Sequence, residues 1–312
     1  MTETSRVLVT DPIHKDAISR MEAAGLEVVV RTDISADELL QVIGEYDAIV
    51  VRGRTKVTSE VIRAGQRLKI IGRSGVGLDN VDRAAAKERG IHVVNSPEGP
   101  SVSVAELVFA LTFSVLRRVS FADQGMRTGK WLKKACKGNE LKGRTLGIIG
   151  FGFIGEEVAK RALAFGMQVL AYDILPDRIE VIKTIGADYK PLEELLADSD
   201  ILTIHVPLNP KTKGLIGTAE IAKMRKGAII INTSRGGIVD EKALYEALVS
   251  EKLGGAGLDV FSEEPPFQNE LLCKIIAFSN VVSTPHIGAM TIEAELANSM
   301  IIAEKLLKHL KQ

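Results

Sequence analysis

With 312 residues, 40 of them basic and 40 acidic, the chain is about twice a typical domain length and carries no formal net charge. That balance, without any long block of like charge, excludes the broad electrostatic footprint that nucleic acid or anionic lipid would need, so an anion-binding site must be local. The most apolar long stretch, "ELVFALTFSVL", has 11 residues and begins with Glu106, far short of the roughly 20 that cross a bilayer.

Short β-branched runs come first: "RVLVTD", "LEVVVRT", "YDAIVVRG", "LKIIGRSG" and "IHVVNSP". They read as strands buried on both faces. Amphipathic stretches between them, such as "HKDAISRMEAAG" and "NVDRAAAKERG", end on glycines that can take a left-handed cap. Strand, helix, strand is a parallel α/β unit. Residues 101–143 carry helical patterns and no strand signal. A second strand series follows with "RTLGIIG", "MQVLAYD", "DILTIHV", "AIIINTS", "GAGLDV" and "NVVSTPH", and a last segment, "TIEAELANSMIIAEKLLKHLKQ", has helical periodicity. A domain boundary is expected near Ser96 to Pro100. Cys136 and Cys273 have no metal-ligand spacing, and the N-terminus "MTETSRVLVT" is polar. A soluble, cytoplasmic protein with no metal is expected.

The second series opens on chemistry. "TLGIIG" ends in Gly150, Gly152 and Gly155 follow in "GFGFIG", a helical segment comes next, and the following strand ends in Asp173, 18 residues beyond Gly155. Strand, glycine turn, helix and distant acid together form a dinucleotide-binding fingerprint. Gly150 allows the tight turn, Gly152 lets backbone approach a pyrophosphate, and Gly155 lets helix pack on strand. An acidic Asp173 would accept hydrogen bonds from both ribose hydroxyls and repel a 2′-phosphate, which favours NAD over NADP.

Later strands end in further reactive side chains: Arg235 in "NTSRGGIVDE", Asp259 and Glu264 in "GLDVFSEEPP", His286 in "STPHIGAM". Singly, Arg235, Glu264 and His286 read as a surface charge, a solvated acid and a turn histidine. Together, at the carboxyl ends of parallel strands where ligands bind, they read as one constellation. In the first series, Arg52, Arg54 and Arg73 lie at or just after strand ends, and guanidinium forks suit phosphate. Between them and the cofactor turn, the small residues of "SGVG", Ser74, Gly75, Val76 and Gly77, can present backbone amides to a carboxylate.

The segments "VVRGRTKVTSEVI", "GRSGVGLDNVD", "LGIIGFGFIG", "SRGGIVDE", "LDVFSEEPP" and "PHIGAMTIEA" span essentially the whole chain and resemble the D-isomer-specific 2-hydroxyacid dehydrogenases. The resemblance implies two doubly wound parallel α/β domains: a Rossmann NAD-binding domain, residues 98–287, inserted in a flavodoxin-like substrate domain, residues 1–97 plus 288–312. It places the catalytic arginine at Arg235, its glutamate at Glu264 and the acid/base at His286. Cofactor contacts fall on Gly150, Gly152, Phe153, Ile154, Gly155, Asp173, His205, Val206, Pro207, Thr233, Ser234, Arg235, Asp259, His286, Gly288 and Val76. Substrate contacts fall on Arg52, Arg54, Arg73, Ser74, Gly75, Val76, Arg235 and His286.

What this implies is NAD-dependent oxidation of a 2-hydroxy acid, with D-3-phosphoglycerate as the leading substrate and glyoxylate or hydroxypyruvate reduction as the alternative. A binding protein that senses NAD(H) is the reading of a different class. A homodimer or higher homo-oligomer is implied, with Trp131, Lys133 and Lys134 in the dimer arm, and no nucleic-acid or membrane partner. The final helix is expected to return to the first domain, with a hinge at 96–100 whose closure excludes water. With no length after that helix for a regulatory domain, feedback through one is not expected. Val76, where threonine is commoner, and Met290, where a small polar residue is commoner, depart from the family pattern.

Overall fold

The computed structural model describes residues 4–311. The chain forms two compact units, one running to Ser103 and resuming at Ala289, the other comprising Val104–Gly288. Among the described residues no helix is long and apolar enough to cross a membrane.

The first unit contains strands β1 (Arg6–Val9), β2 (Glu27–Val30), β3 (Ala48–Val51), β4 (Ile70–Arg73) and β5 (His92–Asn95), all parallel, in the order β2-β1-β3-β4-β5. Alternation along each strand feeds two cores. Leu8, Ile49, Val51 and Ile71 join one cluster, while Val7, Val9, Ala48, Val50 and Ile70 join another on the opposite face. That is why these strands read as unbroken apolar runs rather than as a polar/apolar alternation. The helix Ile292–Leu310 adds Ile302, Ala303, Leu306 and Leu307 to the second cluster. The final helix therefore lies in the first unit.

The second unit opens with helices Ser101–Arg117, which begins in the first unit, and Val119–Arg127; the helical reading of 101–143 holds only as far as Arg127, and residues 128–143 form turns without a helix. Its sheet has strands β6 (Thr145–Ile149), β7 (Gln168–Tyr172), β8 (Asp188–Tyr189), β9 (Ile201–Ile204), β10 (Ala228–Asn232), β11 (Leu253–Leu258) and β12 (Val281–Ser283). Their order is β12-β11-β10-β9-β6-β7-β8, again all parallel. The order reverses direction at the β6/β9 pair, the place where doubly wound sheets bind dinucleotides. β8 is absent from the sequence reading, because two residues at a sheet edge leave no periodic signal. The two sheets and their doubly wound orders agree with the expected fold class.

Candidate active site

β6 delivers Gly150, and the helix Phe153–Ala164 starts after it with Gly152 as its N-cap. A Cβ on Gly155 would lie 2.5 Å from Gly150 O, so only glycine lets the helix start this close to the strand. A Cβ on Gly152 meets nothing within 4 Å. Space is thus left open above the first-turn amides of Phe153, Ile154 and Gly155, where the helix dipole favours a phosphate. Asp173, just past β7, accepts from Phe151 N–H at 2.7 Å on one oxygen and from Leu175 N–H at 2.9 Å on the other. Each oxygen keeps a lone pair for a ribose hydroxyl. Arg178 turns to Glu156, 3.2 Å away, rather than toward a 2′-phosphate.

Two buried polar atoms at neighbouring strand ends, Thr233 Oγ1 and His205 Nδ1, have no hydrogen-bond partner among the described residues. The other nitrogen of His205 lies 3.0 Å from Thr203 Oγ1, and burial pushes the imidazole pKa down to about 3, so the ring stays neutral. Open space over a helix N-terminus, an acid at the next strand end and unpartnered polar atoms beside it fit a dinucleotide. Val206 and Pro207 follow His205 in the loop after β9. Gly152→Ala is expected to leave the melting temperature nearly unchanged while weakening NADH binding by about tenfold, roughly 1.4 kcal/mol. Thermal melting and a fluorescence titration check this.

β10 ends in Asn232, whose side chain orders the next loop. Its Nδ2 donates to Arg235 O at 2.9 Å, and its Oδ1 accepts from Ser234 N–H at 3.1 Å and Ser234 Oγ–H at 2.8 Å. Arg235 Nη1 donates to Ser234 O at 2.6 Å, folding the guanidinium over its own loop. A Cβ on Gly236 would fall 1.9 Å from Phe261 O, so the loop can press against the segment after β11 only with glycine there. That segment carries Glu264.

Glu264 and His286 meet: His286 Nδ1 lies 2.8 Å from Glu264 Oε2, and Glu264 Oε1 accepts from Phe261 N–H at 3.1 Å. The hydrogen bond to Glu264 raises the His286 pKa above the ordinary histidine value, against burial and the Arg235 charge, with Asp259 adding to the rise. Burial pushes the Glu264 carboxyl up, yet the His286 bond, the Phe261 amide and the charges of His286 and Arg235 together bring it below the usual glutamate value. An ionised Glu264 therefore fixes the proton on Nδ1 and leaves Nε2 for chemistry.

His286 sits at φ 56°, a left-handed backbone that costs a non-glycine residue about 1–2 kcal/mol. Asp259, 1% exposed, holds it there. One Asp259 oxygen accepts from Thr284 Oγ1–H at 2.6 Å and Ile287 N–H at 2.8 Å, and the other from Gly288 N–H at 2.8 Å. Asp259, expected only as a cofactor contact, grips the loop on both sides of His286.

In the first unit, Asp11 is fully buried and organises the loop after β3. It accepts from Arg52 N–H at 2.5 Å, Thr55 N–H at 3.2 Å and Thr55 Oγ1–H at 2.8 Å. Arg54 also falls to it: its Nε donates to Asp11 Oδ1 at 3.3 Å, and its Nη atoms donate to Thr10 O at 2.7 Å and Ile34 O at 3.4 Å. Arg52 Nη1 pairs with Glu295 at 3.2 Å, and its Nη2 touches Met290 Sδ at 3.6 Å. Arg73 Nη1 donates to Ser74 O at 3.3 Å. Ser74 N–H donates to Val51 O at 2.8 Å and Gly75 N–H to Ser96 Oγ at 2.8 Å, so two of the four amides expected to face a carboxylate are already engaged. Val76 and Gly77 carry the remaining two.

Asn232, Asp11 and Glu295 are absent from the sequence reading. Asn232 left one legible signal, an Asx-turn residue between an apolar strand and "SRGG". Asp11 and Glu295 act across 40 residues or more and leave none. Among the described residues, no group of three His, Cys, Asp or Glu side chains could hold a metal ion.

Comparison with known proteins gives a concordant result. The family described as "D-isomer specific 2-hydroxyacid dehydrogenase, NAD binding domain" matches residues 109–288. A D-3-phosphoglycerate dehydrogenase of Methanocaldococcus jannaschii is 48% identical over 98% of this chain, which spans only 57% of that protein's length. A hydroxypyruvate reductase of Thermotoga maritima is also 48% identical, over 98% of both chains. The crystal structure of a glyoxylate reductase from Paecilomyes thermophila superposes with a TM-score of 0.88 at 31% identity, covering 100% of this chain and 97% of its own. With a glycine turn, an open helix N-terminus and a paired His and Glu on one parallel sheet, the chain belongs to the D-isomer specific 2-hydroxyacid dehydrogenases and carries their NAD-binding domain.

Proposed function

We propose that the chain is an NAD-dependent D-2-hydroxyacid dehydrogenase whose substrate is D-3-phosphoglycerate, which it oxidises to 3-phosphohydroxypyruvate, so that it serves as a D-3-phosphoglycerate dehydrogenase in serine synthesis. The observation that carries the chemistry is the 2.8 Å contact between His286 Nδ1 and Glu264 Oε2. Bound NAD supplies the carbon that takes up or gives back the hydride. In oxidation, neutral His286 accepts the 2-hydroxyl proton at Nε2; in reduction, the imidazolium returns it. Glu264 stabilises that imidazolium, and Arg235 holds the substrate carboxylate and polarises the 2-oxo group with its planar fork. Thr233, Ser234 and His205 line the cofactor.

Arg52 and Arg73 are the proposed phosphate ligands, with the Val76 and Gly77 amides facing the acid group. Arg54 leaves that set, because Asp11 and two carbonyls hold its guanidinium. A second reading, reduction of hydroxypyruvate or glyoxylate, is favoured by the Glu295 carboxylate 3.2 Å from Arg52, a counter-charge against which an incoming phosphate must compete. Initial rates separate the two. Arg52→Ala and Arg73→Ala are each expected to raise the KM for phosphohydroxypyruvate about tenfold or more, from loss of a charged hydrogen bond of about 1.5–3 kcal/mol, and to spare glyoxylate. Equal effects on both substrates would support the second reading. The proposal includes a homodimer, a second copy covering the exposed Val119, Met126 and Trp131, which are 51%, 58% and 77% exposed.

A further inference from the structure

Three stretches of the first unit, far apart in sequence, meet in a buried polar relay. Gly75 N–H donates to Ser96 Oγ at 2.8 Å, and Ser96 Oγ–H donates to Asn298 Oδ1 at 2.7 Å. Ser96 is 0% and Asn298 2% exposed. Ser96 N–H returns the bond to Gly75 O at 3.0 Å.

A hydroxyl has a single proton. Ser96 receives the Gly75 amide in good geometry when its own proton points elsewhere, and Asn298 Oδ1 gives that proton its short partner. The competing acceptor, Gly75 O, is 3.5 Å from Ser96 Oγ. Removing Asn298 would leave a buried hydroxyl to rotate back onto Gly75 O or to stay unsatisfied, and either outcome disturbs the amide it receives. A parallel tie runs beside it: Lys305 Nζ donates to Asn95 O at 2.8 Å, and Asn95 Nδ2 donates to Val76 O at 2.6 Å. The helix Ile292–Leu310 thus holds two successive residues of the loop after β4, each through one residue at the end of β5 or just beyond it.

We infer that Asn298 is a positioning residue for the loop that receives the substrate's acid group. It orients Ser96, Ser96 fixes Gly75, and the fixed Gly75 sets the direction in which Val76 and Gly77 present their amides. The inference rests on the proposed function for the role of that loop, and on the relay alone for its mechanics.

Asn298→Ala, Ser96→Ala and the double variant test it, with KM for phosphohydroxypyruvate, KM for NADH, melting temperature and amide hydrogen exchange at Gly75 as readouts. Each single variant is expected to raise the KM for the 2-oxo acid about ten- to a hundredfold, the scale of a misplaced contact, and to leave the KM for NADH unchanged. The double variant is expected to add little to either single one, because both break the same relay. Asn298→Asp keeps an acceptor oxygen and is expected to retain a KM near that of the parent.

Lower thermal stability with both KM values intact, or additive losses, would make Asn298 a structural plug and overturn the inference. Exchange at Gly75 is independent of turnover: it is expected to quicken in Asn298→Ala. If the parent chain reduces no 2-oxo acid, the proposed function fails by itself, and unchanged exchange at Gly75 would separately overturn the relay.

Discussion

Replacing His286 by Gln is expected to lower kcat in both directions by about 10²- to 10⁴-fold, the usual contribution of a placed general acid/base. The pH profile distinguishes this from a loss of folding. In the proposed mechanism oxidation needs neutral His286, so kcat/KM is expected to fall as pH drops through the His286 pKa, which the Glu264 bond holds above the ordinary histidine value. Reduction by the same mechanism needs the imidazolium, so its kcat/KM is expected to fall as pH rises through the same pKa. In His286→Gln both limbs vanish. In Glu264→Gln the chief cause of the elevation is gone, so both limbs should move to lower pH, and reduction near neutrality should suffer more than oxidation. Stopped-flow rates across pH check both variants. Limbs that stay in place in Glu264→Gln would mean that another group titrates.

Arg235 gives the other large effect. Arg235→Ala would remove the proposed planar two-point grip on substrate, and two charge-assisted hydrogen bonds of about 1.5–3 kcal/mol each correspond to roughly a 10²- to 10⁴-fold loss of kcat/KM for the 2-oxo acid. Arg235→Lys keeps the charge without the fork and should recover only part of that loss. Binding of NADH, followed by fluorescence, should change far less than kcat/KM in either variant. Asn232, which holds both Ser234 and the Arg235 carbonyl, explains how a long side chain on a loop keeps a defined direction.

Much of this arrangement is written locally. Doubly covered strands are apolar runs, and a glycine turn between strand and helix needs glycine at Gly155 for a distance reason the pattern already encodes. The meeting of Glu264 and His286 is legible as a candidate because each, like Arg235, follows a strand, and parallel strands point their ends the same way. What stayed hidden acts at long range. Nothing near Arg54 shows that Asp11 holds it, nothing near Arg52 shows Glu295, and nothing in "SGVG" shows that Gly75 N–H is taken by Ser96. The grip of Asp259 on the His286 loop is equally invisible, since its three donors lie 25–29 residues onward. Local patterns specify elements and strand-end chemistry; partner choice among polar groups is settled by the fold.

Transfer of deuterium from nicotinamide-deuterated NADH to phosphohydroxypyruvate, read by mass spectrometry and chiral analysis of the product, separates hydride transfer from cofactor binding alone. The predicted result is one deuterium at C2 of D-3-phosphoglycerate, with the rate lost in His286→Gln. Tight NADH binding with no label transferred to this or any other 2-oxo acid would contradict it and favour a protein that senses the cofactor without turning it over.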